Sequence, residues 1–211
     1  PLLWKATAAG RPGTVYLLGT VHMRPDGERR LDRAVLDAVA SADRLALELD
    51  PTRVDMAEMQ ALVAELAIMV DQRVGALLPL DVAAKLATVA AGCGMPGIED
   101  SPLKPWFVAM ALATECPKKQ GLGGPSVEEL LMDLAKRRSD PPTVVELETA
   151  RSQLLALSAT DLDPAPIADT LEWLESGKLA ELVALYEGAD AAGVAAAVEE
   201  SRRSSSGSPA A

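Results

Sequence analysis

His22 is the residue of this chain with the widest range of possible chemistry, and it is the only histidine among the 211 residues. It follows residues 14–18 (TVYLL), an apolar run of strand-forming residues that ends at Gly19. Glycine lets the backbone turn sharply, so the imidazole would stand beyond the carboxyl end of a strand, where open α/β folds usually bind ligands. We interpret His22 as a metal ligand or a catalytic base. The alternative is a solvated or core histidine without a chemical role.

Glu48 lies in a second strand-like stretch, residues 44–50 (RLALELD), between Leu47 and Leu49. The two leucines indicate a buried strand, where an ionised carboxylate costs on the order of several kcal/mol unless a cation, a metal ion or several donors surround it. We therefore expect a partner for Glu48, either a metal ion, an Arg or Lys, or the start of a helix near Thr52. Asp50 shares the side of the strand that Glu48 occupies and is interpreted as a second metal ligand or a helix cap.

Glu148 follows a third strand candidate, residues 143–147 (TVVEL). If the three strands are parallel in one sheet, His22, Glu48 and Glu148 converge at one edge. Histidine combined with carboxylates suits Zn²⁺ or Mn²⁺, and a metal ion held in this way activates water. The alternative for Glu148 is an acidic residue in the first turn of a helix, which the helix dipole stabilises.

The elements that position these residues can be predicted from hydrophobic periodicity. A helical pattern over residues 31–42 separates the first two strands, and this order favours a parallel pair with a right-handed crossover. Ser126 and Glu129 form a capping box that opens a helix ending near Arg138. Apart from short breaks, helical patterns also fill residues 54–91, 104–114 and 148–200.

These patterns predict one mixed α/β domain over residues 1–203. Its core is a small, mostly parallel sheet, and a large helical portion surrounds it. Aromatic residues make up only 3% of the chain, which favours helix-rich packing over a β-sandwich. Residues 204–211 are a Ser, Gly, Pro and Ala run without an apolar anchor, and we expect a disordered tail there.

The composition excludes several classes of function. A formal net charge of −11 repels phosphate backbones and no basic patch offsets it, so nucleic acid is not expected as a partner. No uncharged apolar run approaches the roughly 20 residues of a membrane-spanning helix. The sequence also lacks a nucleotide-binding glycine motif, a P-loop, a G-x-S-x-G elbow and a C-x-x-C pair.

The cysteines and the first residue bear on the compartment. Cys93 and Cys116 lack metal-ligand spacing to a histidine and are interpreted as two small buried thiols. A disulfide in an oxidising compartment is the alternative. The chain begins at Pro1 rather than at Met, which suits a processed precursor.

Four ordered motifs resemble the TraB/GumN family, which shares a superfamily with the TIKI metalloproteases and the ChaN and erythromycin-esterase-like proteins. The resemblance covers residues 2–186. The motifs are LWK with VYLLGTVH at residues 3–5 and 15–22, LALELD at 45–50, LKPW at 103–106, and VELET at 145–149 with Gln153, and EWLESG at 172–177 also matches.

The resemblance implies a metal-dependent, peptidase-like hydrolase, and in this family the GxxH histidine and the second-strand glutamate are implicated in metal binding and hydrolysis. These two residues are His22 and Glu48 here. With Asp50 they would hold Mn²⁺ or Zn²⁺, and Glu48 and Glu148 would assist metal-bound water in attacking a peptide or small-molecule substrate. Family members are often exported in bacteria, so the resemblance also implies a periplasmic or otherwise exported protein.

Two departures from the family pattern favour other functions. The expected second GxxH motif is missing, because the chain has no second histidine, and the usual Gly-x-Asp is replaced by Gly124-Pro125-Ser126. A non-catalytic binding or regulatory domain of the same fold is therefore the main alternative. Kinship with ChaN suggests a third hypothesis, a haem-binding protein with His22 as an axial ligand.

Overall fold

The structure, a computed structural model, describes residues 2–10, 12–50 and 53–206, with side chains described up to residue 200. Three short 3₁₀ helices lie at Val74–Leu77, Ile98–Asp100 and Ser158–Thr160. In chain order the strands and α-helices are β1 (Leu3–Ala6), β2 (Val15–Leu18), α1 (Arg33–Ser41), β3 (Arg44–Leu47), α2 (Met56–Ala67), α3 (Leu80–Gly92), α4 (Pro105–Lys119), α5 (Val127–Lys136), β4 (Thr143–Glu146), α6 (Ala150–Leu157), α7 (Ala165–Glu175), α8 (Lys178–Glu187) and α9 (Ala191–Ser206).

The chain forms two compact units. Unit 1 comprises Pro1–Leu45, Leu122–Thr143 and Gly177–Ala211, and unit 2 comprises Ala46–Gly121 and Val144–Ser176. The prediction of one domain over residues 1–203 with a disordered tail stays a prediction. Helix α9 includes residues 204–206 of that tail, and the rest of it lies outside the described residues.

Unit 1 is built on the β1–β2 hairpin and helices α1 and α5. The two strands pair antiparallel, with Leu3 opposite Leu18. Asp32 is the N-cap of helix α1, and its side chain accepts a hydrogen bond from the Ala34 N–H. Apolar residues spaced three and four apart give α1 and α5 one buried face each. The buried residues of this core are Val35, Val39, Val127 and Leu131.

Unit 2 has its main core among helices α3, α4 and α7. Its fully buried residues include Leu86, Val108, Leu112, Ile167 and Leu171. A smaller cluster joins α2, α4 and α6 through Leu62, Trp106 and Leu154.

A disulfide between Cys93 and Cys116, with an S–S distance of 2.02 Å, joins the end of α3 to α4 in unit 2. The interpretation of these cysteines as two separate thiols is therefore wrong. Helix α4 explains the difference, because it continues beyond residue 114 to Lys119. It thereby brings Cys116 opposite Cys93, with a Cα–Cα distance of 4.7 Å.

Strands β3 and β4 form the second two-stranded sheet, and the boundary between the units falls within both strands. The N–H groups of Thr143, Leu147 and Glu148 donate to the carbonyls of Asp43, Leu47 and Glu48 respectively. The offset between donor and acceptor is constant, so the two strands run in the same direction.

The predicted α/β class with a large helical portion is confirmed, but the sheet differs from the prediction. In the part of the chain that is described, one strand pair is antiparallel and one is parallel, so the sheet is not mostly parallel. The expected parallel pairing of β2 with β3 is wrong: in the described structure β2 pairs with β1 in one two-stranded sheet and β3 pairs with β4 in the other. A hairpin closes a much shorter loop than a helical crossover does, which lowers its entropic cost. Among the described helices, none combines the length and apolarity required to cross a membrane.

Candidate functional site

His22 lies in unit 1, in residues 19–24, which we call the His22 segment. The N–H of Gly19 donates to the carbonyl of Leu2 at 2.8 Å, so the segment starts directly at the end of the hairpin. The imidazole is 71% exposed. The side chain therefore stands beyond the carboxyl end of β2 in a position that solutes can reach, as the sequence predicts.

Glu128 is the carboxylate that contacts His22. It lies in the first turn of α5, behind the capping box of Ser126 and Glu129, where the positive end of the helix dipole favours an anion. Its Oε1 accepts a hydrogen bond from the Thr20 hydroxyl at 2.5 Å, and its Oε2 lies 3.6 Å from His22 Nδ1. The second distance is an ion-pair contact, too long for a hydrogen bond.

These contacts keep Glu128 ionised. Burial raises the pKa of Glu128 and is the largest single effect, but the interactions with His22, Thr20 and the backbone together outweigh it and lower the pKa to about 2. Oε2 is buried, and no group among the described residues donates a hydrogen bond to it. A buried anionic oxygen is costly unless a cation compensates its charge. His22 Nδ1 is the nitrogen that faces Oε2, so a positive charge on or beside the imidazole would compensate this oxygen.

Glu48 lies in unit 2, directly after β3, and its side chain is exposed although Leu47 before it is buried. The expectation that the Glu48 carboxylate is buried is therefore wrong, whereas a metal ion as its partner stays a prediction. Strand β3 ends at Leu47, and a two-stranded sheet leaves part of its surface uncovered. In the described structure, the Gln153 amide donates to Glu48 Oε2 at 3.5 Å, and no Lys or Arg pairs with this carboxylate.

Glu148 is adjacent to Glu48, since its N–H donates to the Glu48 carbonyl at 3.0 Å. Its side chain is exposed. Thr149 is the N-cap of α6, so Glu148 precedes the helix. The alternative that Glu148 is a first-turn acid is therefore wrong.

Asp50 is 5% exposed and thus buried, unlike Glu48, because the regular alternation of the strand stops at Leu47. Its N–H donates to Glu146 Oε1 at 3.1 Å, and the other oxygen of Glu146 accepts from Arg53 Nη1 at 2.9 Å. Asp50 does not cap α2, whose N-cap is Asp55. The predicted helix start near Thr52 lies outside the described residues.

A cleft of about 310 Å³ lies in unit 2 beside Glu146. Met59 and Leu62 contribute apolar surface, and Glu58 and Arg151 contribute charges of opposite sign. This volume is at the lower end of the range for ligand clefts, roughly 300–1,000 Å³.

The structure thus brings Glu48 and Glu148 together in unit 2, with Asp50 nearby in sequence, and brings His22 together with Glu128 in unit 1. The part of the chain that is described holds no group of three or more His, Cys, Asp or Glu residues placed to bind a metal ion. Joint action of His22 with Glu48, Asp50 and Glu148 stays a prediction.

Sequence reasoning missed Glu128 although a local signal was present. The capping box marks Ser126 as the N-cap, and an acidic residue two positions later is in the first turn, where helix N-termini attract anions. Its nearness to His22 depends on how α5 packs in unit 1 and has no signal in the sequence.

Comparison with known proteins agrees with the motifs. A family model described as the TraB/PrgY/gumN family matches residues 2–210. No curated protein and no solved structure matches the chain. The family match includes the His22 segment, Glu128 and the ends of β3 and β4. The chain therefore belongs to the TraB/PrgY/gumN family.

Proposed function

We propose that this protein is a metal-dependent hydrolase and that His22 and Glu128 belong to its metal site. The observation that carries the proposal is the ionised Glu128 carboxylate, whose buried Oε2 faces His22 Nδ1 at 3.6 Å. Imidazole nitrogen and carboxylate oxygen are the ligand types that Zn²⁺ and Mn²⁺ accept. Ligand atoms that share one tetrahedral ion lie roughly 3–4 Å apart, so the pair fits such an ion.

Thr20, Glu128 and His22 have different roles in the proposed site. Thr20 donates to Oε1 and thereby fixes the carboxylate with Oε2 towards His22. The low pKa of Glu128 keeps its charge through the ordinary pH range, so no proton competes with a cation there. The exposed imidazole can accept a ligand from solvent. A metal ion held by His22 and Glu128 would supply Lewis acidity and would lower the pKa of a water molecule, the nucleophile that hydrolysis requires.

The remaining predicted residues are proposed on the family resemblance. Glu48 keeps the proposed role of ligand and catalytic carboxylate, with Asp50 as a further ligand and Glu148 as a helper. A peptide or small molecule is the proposed substrate. The exposure of Glu48 and Glu148 supports contact with a substrate. Asp50 is buried, so its proposed role has the least support of the three.

The test is the binding of a divalent metal ion to protein from which a chelator has first removed bound metal. Calorimetric titration measures the affinity, and elemental analysis measures the number of ions per chain. We expect one Mn²⁺ or Zn²⁺ per wild-type chain and loss of that ion in His22→Ala and Glu128→Gln. Glu181→Gln is the matched control, because Glu181 also lies in the first turn of a helix of unit 1. Wild-type protein without a bound ion, or His22→Ala protein with unchanged affinity, would refute the proposal.

We also propose that the protein is exported. The Cys93–Cys116 disulfide supports this location, since disulfides persist mainly in oxidising compartments. When cells that produce the protein are treated with a thiol-alkylating reagent, which modifies only free thiols, neither Cys93 nor Cys116 should be alkylated. Quantitative labelling of both would contradict export.

A further inference from the structure

The last two residues of α8 contact the His22 segment at both of its ends. The Tyr186 hydroxyl donates to the carbonyl of Gly19 at 2.9 Å. The carboxylate of Glu187 accepts from Arg24 Nε at 2.7 Å and from Arg24 Nη2 at 3.0 Å. Because these residues are neighbours on one helix, they fix both ends of the segment relative to each other.

Both contacts are partly buried, with Arg24 as the most buried partner. Arg24 is only 3% exposed, and its guanidinium donates two hydrogen bonds to the Glu187 carboxylate. Burial raises the pKa of Tyr186, so its phenol stays protonated and can donate. The Tyr186 ring packs on the core of unit 1. The pair of Arg24 and Glu187 is charge-assisted and bidentate, and such pairs are stronger and geometrically more specific than neutral hydrogen bonds.

Arg24 also connects the His22 segment to the helix that carries Glu128. The Gly124 N–H donates to the Arg24 carbonyl at 3.0 Å, two residues before the N-cap Ser126 of α5. A Cβ atom at position 124 would collide with the carbonyl oxygen of Pro25. The close approach therefore requires glycine, and it places the start of α5 directly against the His22 segment.

We propose that Tyr186 and Glu187 are positioning residues that hold His22 beside Glu128. The exposed imidazole lies on a segment without helix or strand structure, so the orientation of His22 depends on how the ends of the segment are fixed. A displacement of about 1 Å is enough to disrupt a functional geometry. The consequence for metal binding rests on the proposed function, but the positioning itself does not.

The experiment uses the full chain with Tyr186→Phe and Glu187→Gln. Tyr16→Phe and Glu200→Gln are the matched controls: Tyr16 is the other tyrosine of the chain, and Glu200 pairs with Lys178 at the opposite end of α8. The single histidine gives one imidazole signal in ¹³C- and ¹⁵N-edited NMR spectra, which reports tautomer and environment without assignment. Mn²⁺ affinity is measured on the same samples, and circular dichroism verifies that each variant is folded.

We expect the imidazole signal to shift or split in Tyr186→Phe and Glu187→Gln and to stay unchanged in both controls. Mn²⁺ affinity should fall roughly tenfold to a hundredfold in the two α8 variants, as for other residues that orient a metal ligand. If wild-type protein binds no Mn²⁺, the proposed function fails, yet a shifted imidazole signal still supports positioning. An unchanged signal in folded Tyr186→Phe overturns the inference, and this variant decides the matter if Glu187→Gln does not fold.

Discussion

Glu128 carries its charge in a partly buried position because one of its oxygens contacts Thr20 and the other contacts His22. Its side chain is 21% exposed, whereas the Glu48 side chain is exposed and accepts a hydrogen bond from the Gln153 amide of helix α6. Folding therefore stabilises the ionised form of Glu128 in particular. That stabilisation has to disappear when the carboxyl group takes up a proton.

The first prediction concerns this pH dependence. The folded-state pKa of Glu128, about 2, lies below its usual value of 4.5, so the charge stabilises the folded chain above about pH 4.5, and the contribution is lost as the pH falls towards 2. From the shift, this contribution at neutral pH is on the order of 3 kcal/mol. Glu128→Gln should therefore have a lower free energy of unfolding than wild type at neutral pH. This difference should become smaller as the pH falls.

Urea denaturation at neutral pH and at about pH 3 measures the difference in free energy of unfolding between wild type and Glu128→Gln. The control Glu181→Gln should have almost the same free energy of unfolding as wild type at either pH. If wild type and Glu128→Gln differ in free energy of unfolding by the same amount at both pH values, folding does not stabilise the Glu128 charge.

Single residues were predictable from sequence only where the chemistry is local. Gly19 after an apolar run was enough to place His22 beyond a strand. The neighbours of Glu48 suggested burial, but the number of strands that cover a sheet is decided by distant parts of the chain. Contact between His22 and Glu128 depends on packing across more than a hundred residues of sequence, which no local pattern encodes.

At the scale of elements, the close approach of α5 to the His22 segment is the feature on which the pair depends. Gly124→Ala introduces a collision with a backbone carbonyl, which cannot move like a side chain. We expect it to lower the free energy of unfolding by about 1–3 kcal/mol and to weaken metal binding. Gly92→Ala is the matched control: position 92 ends α3 with nothing within 4 Å of an added Cβ, so stability should stay the same or rise by up to about 1 kcal/mol.

Thermal and urea unfolding compare these two glycine variants directly. Equal stability of Gly124→Ala and Gly92→Ala would show that the start of α5 can move away from the His22 segment without cost.

The disulfide between α3 and α4 gives a further prediction at this scale. The bond closes a loop with a sequence separation of 23, and such a crosslink contributes about 3 kcal/mol by restricting the unfolded chain. Reduction should lower the denaturation midpoint of the wild-type chain. Cys93→Ala/Cys116→Ala protein should be insensitive to reductant, and a wild-type midpoint that reductant leaves unchanged would argue against the bond.

Elements were predictable to different degrees. The capping box of Ser126 and Glu129 defined the start of α5, because both partners lie within one turn. The pairing of β2 with β1 was missed, because a four-residue strand carries no information on its partner. The extension of α4 beyond residue 114 to Lys119 was missed as well, because Pro117 interrupts the helical pattern of the sequence although it lies in the last turn.

At the scale of the whole molecule, the family match spans residues 2–210 and thus includes residues of both units. Scarce aromatic residues and long helical patterns were sufficient to predict a helix-rich α/β protein, because those properties are summed over the chain. The division into two units was not predictable. It interleaves distant stretches of sequence, and no linker composition marks the boundaries.

The most direct measurement of the central claim is the anomalous scattering of manganese in crystals soaked with Mn²⁺. We predict a peak in contact with both His22 and Glu128, which disappears in crystals of Glu128→Gln. A manganese peak that leaves His22 without contact, or the absence of any bound ion in well-ordered wild-type crystals, would contradict a metal site at this pair.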